Sequence, residues 1–295
     1  MEVSIVIAAH HDAASLLRCL NAIDREIASN PAVEIEVVVA SALPSTEISG
    51  PRARWTQTTW IDVGDRASVP ELRAASLGVA RGEIMVLLED HLEPVPGWLQ
   101  AIVRAHRDAP GRLAIGGAVD PSDRDRPIDR AAYFCEYGWH MSPLPRSEVT
   151  LLTGANVSYK RDAVELFRSL PPAWETEWHR ALRERGHALA TEPEMVVRHE
   201  RRFSAAEFLR ERVRYGHDYA RERSKGMATA ERVARAVSAP LLPFVLLVRL
   251  GASVAAKRRE RASFLRSIAW TFAFFAAWAA GEAQGYLRGP RDARP

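Results

Sequence analysis

RGEIMVLLEDHLEPVPGWLQAI, residues Arg81 to Ile102, is the stretch on which the fold turns. Glu83 to Leu88 is nearly all apolar, which predicts a strand buried on both faces, as in a parallel sheet. It stops abruptly in Glu89-Asp90-His91, and Gly97 to His106 then has the spacing of an amphipathic helix. A buried strand ending in three ionisable side chains marks a carboxyl edge, where open α/β sheets gather their ligands.

Working outward, Val3 to Ala9 is a second short, β-branched run, followed by a helix with Leu16, Leu17, Leu20 and Ile23 on its apolar face. Val33 to Ala40 and, more weakly, Ala53 to Val63 are further strand candidates, and Pro70 to Arg81 has a proline-led helix pattern with Gly82 beyond its end. Beyond the central block come a strand at Leu113 to Val119, an irregular aromatic stretch at Arg124 to Ser147, and Leu151 to Tyr159. Helices at Arg161 to Leu170 and Glu175 to Arg185 precede a short strand, Met195 to Arg198, that ends at His199. Strands and helices in alternation predict a doubly wound, Rossmann-like, mostly parallel sheet. The stretch from Arg124 to Ser147 has the character of a substrate-facing loop, in which Tyr133, Phe134, Tyr137 and Trp139 either stack on a ligand ring or simply pack.

Taken as chemistry alone, carboxylate and imidazole at Glu89-Asp90-His91 suit Mn²⁺ or Mg²⁺, and a charged strand end running into solvent is the competing account. His10-His11 offers another imidazole pair, but neighbours on a strand point to opposite faces, which argues against a joint metal site. Glu175 and Glu177 could equally form an exposed acidic face paired with Arg180 and Arg183, and His179 on the same helix is expected at the surface.

The central block resembles that of family 2 glycosyltransferases, in which Gly-Glu leads a buried strand into an acidic DxD motif and Pro-x-Pro-Gly-Trp opens a helix. Three further blocks occur in the family's order: VSIVIAAHHDAASLLRCLNAI (Val3–Ile23), TGANVSYKRDAVELF (Thr153–Phe167) and WETEWHRALRERGHAL (Trp174–Leu189). The resemblance, over residues 3 to about 200, implies a GT-A fold and inverting transfer of a sugar from a nucleotide-sugar donor. It implies that Ala8, Ala9 and His10 lie beside the nucleotide, that Glu89 and Asp90 stand near the ribose and diphosphate, and that the block holding Gly154 and Asn156 lines the donor and acceptor sites. A divalent metal, Mn²⁺ or Mg²⁺, would rest on Asp90, His91 and His199. Glu175 would be the catalytic base, with Glu177 the second candidate. The chain departs from the family at Val39-Ala40-Ser41-Ala42, where Asp-Asp-Gly-Ser is usual, and at Ala75-Ser76, where Arg-Asn is usual; Arg73 is out of register with that arginine.

Charge divides the chain. Residues 1–199 carry a net −7 and residues 200–266 a net +9. A basic segment beside an apolar tail favours an anionic membrane over nucleic acid. Val237 to Ala256 is long enough to cross a bilayer but carries Arg249, while Ile268 to Ala280 has no charge. A spanning hairpin with a cytosolic N-terminus would place Lys257 to Arg261 on the far side, against the positive-inside rule, so an interfacial hairpin, a single span and core helices all remain open. Two cysteines, Cys19 and Cys135, suit a reducing compartment, and a strand starting at Val3 leaves no signal peptide ahead of it.

The expected organisation is a catalytic domain over 1–203, a basic helical linker over 204–236, apolar membrane-associated helices over 237–287 and a tail over 288–295. The catalytic domain is expected in the cytoplasm, attached to the inner face of the cell membrane, with a glycan or lipid-linked acceptor. A non-catalytic sugar-nucleotide binder and a nucleotidyltransferase are the alternatives, the latter disfavoured because Ala8 to Asp12 lacks the glycines of a phosphate loop.

Overall fold

The computed structural model describes residues 1–123, 126–202 and 204–290. Phe203, where the sequence places the domain boundary, and most of the 288–295 tail lie outside them, as do residues 124–125 of the expected loop. Along the chain the elements are β1 (Val3–Ala9), α1 (Ala13–Ser29), β2 (Ile35–Ser41), α2 (Ser45–Arg54), β3 (Thr59–Asp62), α3 (Val69–Val79) and β4 (Ile84–Glu89). Next come β5 (Leu92–Pro94), α4 (Trp98–Asp108), β6 (Ala114–Pro121), α5 (Pro127–Tyr137), β7 (Glu148–Val149), β8 (Asn156–Lys160) and α6 (Arg161–Arg168). The chain continues with α7 (Glu175–Glu184), β9 (Leu189–His199), α8 (Ala205–Arg223), α9 (Thr229–Ser238), α10 (Leu242–Lys257) and α11 (Arg261–Arg288). Two compact units result, Met1–Ser122 with His140–Arg201 and Asp123–Trp139 with Arg202–Pro295.

The first unit is built on a nine-stranded sheet in the order β3-β2-β1-β4-β8-β6-β9-β5, with β7 also on β9. β3, β2, β1 and β4 run parallel; β8 is antiparallel to β4 and β6, while β6 and β9 are again parallel. The central strands β1 and β4 are buried along their whole length, as their unbroken apolar runs require. Helix starts are fixed by polar side chains. The Asp12 carboxylate accepts from Ser15 N–H at 2.7 Å, and Glu71 accepts from Ser68 N–H at 2.7 Å at the start of α3. The start of α4 is held from a distance: Glu26, buried on α1, accepts from the N–H groups of Gly97 (3.0 Å) and Leu99 (2.9 Å). Gly97 itself has φ +90, a conformation that suits glycine, and so lets the chain turn from β5 into α4. The residues after β4 are therefore framed by a rigid turn.

Several local expectations change. Thr59–Asp62 is the only strand within Ala53 to Val63, and α2 precedes it, a helix whose sequence shows little apolar periodicity and contains Pro51. β9 is eleven residues long, much more than Met195 to Arg198. Thr191 and Glu192 hid its first half, because they are buried with their polar atoms satisfied by Pro145 O (2.6 Å) and Arg146 (2.7 Å). The stretch from Arg124 to Ser147 is no open loop: it contains α5, whose Tyr133 and Phe134 are fully buried within the second unit, so these aromatics pack.

In the second unit α11 lies against α8 at backbone distance. A Cβ on Gly216 would strike Trp278 O, and one on Gly281 would strike Val213 O. Phe208 and Phe274 meet edge to face at 4.6 Å, and Arg212, 7% exposed, lies 4.7 Å over the Trp278 ring. Thr229–Lys257 and Arg261–Arg288 are each long and apolar enough to cross a membrane by length and composition.

Candidate active site

Parallel pairing of β1 with β4 sets Ala8 opposite Glu89, so the residues after both strands emerge at one carboxyl edge. Asp90 N–H donates to Ala8 O at 3.2 Å and closes the gap between the two strand ends. Asp90 is fully buried, and its Oδ2 accepts from the backbone N–H groups of both His10 and His11 at 2.8 Å. Its Oδ1 lies 2.7 Å from His11 Nδ1 and 3.5 Å from His91 Nδ1. On the other side, antiparallel pairing of β5 with β9 places Leu92 opposite His199, which brings the His91 and His199 rings to 5.0 Å, edge to face. Two imidazoles, those of His11 and His91, thus face one strand-end acid, with the rings of His10 and His199 packed beside them.

Burial lowers the pKa of His10 and takes that of His11 well below the usual value, outweighing the opposing pull of Asp90. Both rings are neutral at pH 7 with nitrogen lone pairs to offer. Burial would raise the Asp90 carboxyl, but the neighbouring His11 and its hydrogen bond hold it well below the usual range. The donor atoms of His10, His11 and Asp90 all lie within 4.8 Å of one another. Glu89 Oε2 lies 3.8 Å from both His10 Nε2 and His91 Nε2, a second mixed carboxylate–imidazole set on the same floor. Both sets have the chemistry of an Mn²⁺-type site, so the residues present fit a divalent ion.

Next to the histidines sits a buried arginine. Arg73, on α3 and 1% exposed, donates to Glu89 Oε1 and to Glu175 Oε2, each at 2.8 Å. The helix that carries it packs on β1, and α7 delivers Glu175 at its first position. Gly154 makes room: a Cβ there would come within 2.6 Å of both Arg73 and Glu175. Burial would raise the Glu175 pKa, but the Arg73 charge beside it lowers it below the usual carboxylate value, so Glu175 is ionised at neutral pH.

The expected site residues separate accordingly. Glu89, Asp90, His91, His199, His10, Gly154 and Glu175 come together at this edge. Glu177 does not: two positions further round α7, it pairs with Arg180 at the surface, as an exposed i,i+3 ion pair does. Ala8 and Ala9 are fully buried, and their carbonyls serve Asp90 and Ala42, so His10 is the first side chain of that strand to reach the site. Asn156 is likewise a structural residue. Fully buried, it donates to Ala118 O (2.8 Å) and Met195 O (2.9 Å) and accepts from Trp98 Nε1 (2.9 Å), which ties three strands to α4. The expectation that His10 and His11 diverge fails because β1 ends at Ala9; beyond it both N–H groups turn toward Asp90 and the rings lie 3.8 Å apart. His179 is 1% exposed, contrary to expectation, with Tyr159 OH at 2.8 Å from its Nε2. Arg73 was not predicted: its two partners lie 16 and 102 residues away, beyond any local pattern.

No protein-family model matches the sequence, and among curated proteins nothing matches. Solved structures do match in three dimensions. The mannosyltransferase PcManGT from Pyrobaculum calidifontis, in complex with GDP-Man and Mn²⁺, is 19% identical with a TM-score of 0.57, over 95% of this chain and 86% of that one. TarS residues 1–349 from S. aureus is 12% identical with a TM-score of 0.50, over 92% of this chain and 89% of the other. At these identities the likeness speaks for architecture: the chain has a GT-A-type α/β fold followed by two apolar C-terminal helices.

Proposed function

We propose that this protein is an inverting glycosyltransferase that moves a sugar from a nucleotide-sugar donor to an acceptor hydroxyl, with Glu175 as the base. The observation that carries the reading is the Arg73 bridge, which joins the acid at the DxD position, Glu89, to Glu175 in one buried constellation. In this reading Glu175 accepts the acceptor's hydroxyl proton while the acceptor oxygen bonds to the anomeric carbon and the bond from that carbon to the diphosphate breaks. Arg73 keeps Glu175 ionised and fixed in orientation. Glu89, His10 and His91 would hold a divalent cation, with His199 beside them and Asp90 orienting His11 and His91. A cation there supplies positive charge to a departing diphosphate. The complex of GDP-Man and Mn²⁺ with the Pyrobaculum enzyme makes these the first probes to try. We further place the catalytic unit at the inner face of the cell membrane with a lipid-linked or envelope glycan as acceptor, a reading supported by the two apolar helices.

Thermal shift with a panel of nucleoside diphosphates, each with and without Mn²⁺, tests the site. One base should raise the melting temperature by several degrees, in a metal-dependent way, at about 100 times its Kd. No shift with any of them would favour a non-catalytic scaffold.

A further inference from the structure

α9, the turn after it and α10 form one helical run, Thr229–Lys257. Along it Val233, Val237, Leu241, Phe244 and Val248 are each between 45% and 75% exposed. Their spacing of three or four residues puts them on one face of a helix, a stripe about 22 Å long. The Phe244 ring meets the half-buried Phe272 of α11 at 5.1 Å, and on the same helix Ile268 and Leu265 are exposed. Among the described residues these side chains stay open to solvent, and a contiguous apolar surface of this kind marks an interaction site.

The surrounding charge says what the partner is. Between Arg232 and Gly281 the sequence has eight Lys and Arg and a single acid, Glu260, which is paired with Arg130 at 3.0 Å. Arg249, Arg258, Arg259, Arg261 and Arg266 are all exposed. Apolar side chains rimmed by arginines complement lipid tails beneath anionic headgroups, to which long cationic side chains reach up.

The packing also says how the partner is met. α11 is joined to α8 backbone to backbone, with no room for a Cβ at Gly216, Gly281 or Gly285. Nine of the nineteen residues of α8 are Asp, Glu or Arg. If α11 crossed a bilayer, α8 would enter hydrocarbon with it or the tightest seam of the unit would part. We infer that this unit docks on an anionic bilayer with α10 and the first half of α11 lying in the interface plane, and that neither helix spans. The basic loop between them then stays on the same side as the rest of the chain, in keeping with the positive-inside rule. The inference rests on the membrane attachment proposed above and not on the chemistry.

The test is binding of the purified full chain to preformed vesicles, which needs no turnover. Co-sedimentation should be strong with phosphatidylcholine containing phosphatidylglycerol and weak with phosphatidylcholine alone, and it should fall with salt. Each of Arg258→Gln and Arg266→Gln should weaken it about fivefold. The double variant Phe244→Glu, Val248→Glu should lose at least tenfold, with nucleotide-induced thermal shift and circular dichroism unchanged. For the mode, Arg259→Cys should react fully with an impermeant maleimide added outside the vesicles. Equal binding to neutral vesicles, binding indifferent to the double variant, or a protected cysteine would each overturn the inference. So would self-association that the double variant abolishes in a chain that ignores vesicles, since the face would then belong to a second copy.

Discussion

At the carboxyl edge of the sheet, Arg73, Asp90, His91 and His199 are buried, whereas along the run of α9 and α10 Val237, Leu241, Phe244 and Val248 stand more than half exposed. Each region inverts the ordinary rule of apolar inside and polar outside, in opposite directions. The buried charges have partners within the fold: Arg73 has two carboxylates, and Asp90 has two backbone N–H groups and an imidazole. The exposed apolar face has, by contrast, only the contact of Phe244 with Phe272 to set against the solvent on Val237, Leu241 and Val248, among the described residues. The difference has an energetic side. An unpaired buried charge costs several kcal/mol, while an exposed valine merely forgoes about 25 cal/mol per Å² of burial. The site should therefore be sensitive to single substitutions, and the apolar face should tolerate them until a membrane is offered.

The largest expected effect falls on chemistry. Glu175→Gln keeps the shape of the side chain and removes its basicity, so turnover with the matched donor and acceptor should drop about 10²- to 10⁴-fold. The nucleotide-induced thermal shift should barely change. Steady-state kinetics on the donor that the thermal-shift panel selects would read this, and undiminished turnover would take the base away from Glu175.

Next comes Arg73→Met, which should cost about 3–5 kcal/mol of unfolding free energy because Glu89 and Glu175 would be left facing each other without a cation. Urea denaturation measures it. Arg73→Lys should recover only part, since one ammonium cannot bridge two carboxylates as a planar guanidinium does. A near-neutral Arg73→Met would mean that the site tolerates unpaired charge, and the contrast with the apolar face would collapse.

A slightly smaller effect is set by pH. Burial lowers the pKa of His179 to about 4, so between pH 6.5 and 4 the unfolded chain binds a proton that the folded chain refuses. Stability from this residue is complete above pH 6.5 and is lost as pH falls toward 4, about 3 kcal/mol in all. Denaturant midpoints for the protein and for His179→Gln across that range should converge as pH drops. Parallel curves would show that His179 does not carry the acid sensitivity.

What the sequence disclosed follows from the range of each interaction. The strand-end acids after Leu88 were legible because a strand and its terminus are adjacent in the chain, and so was the apolar stretch Val237 to Ala256, which is continuous in the chain, although its exposed stripe was not. Arg73 was not: on α3 it is one polar residue among small ones, and only the fold places it between Glu89 and Glu175. His10 and His11 misled because strand alternation does not hold for the two residues past Ala9, where the backbone already turns toward Asp90. Asn156 misled because a polar side chain in a motif block was read as facing ligand, when three buried backbone and indole partners claim it. Apolar periodicity reports burial by water exclusion; it carries no trace of burial by pairing.

The smallest effect is the sharpest test of that contrast within the site itself. Glu175 and Glu177 share one turn of α7, and each faces an arginine. In a helix two positions amount to about 200° of rotation, so the two carboxylates leave in nearly opposite directions. Glu175 turns inward to Arg73, whose side chain is buried, and Glu177 turns outward to Arg180, whose side chain is 64% exposed. Water screens the second pair, and exposed pairs of this spacing contribute no more than about 0.5 kcal/mol. Glu177→Gln should accordingly leave turnover unchanged and shift the urea midpoint by an amount near the limit of detection. Should it instead slow turnover as much as Glu175→Gln, α7 must rotate when substrate binds, and burial in the free protein would no longer identify the base.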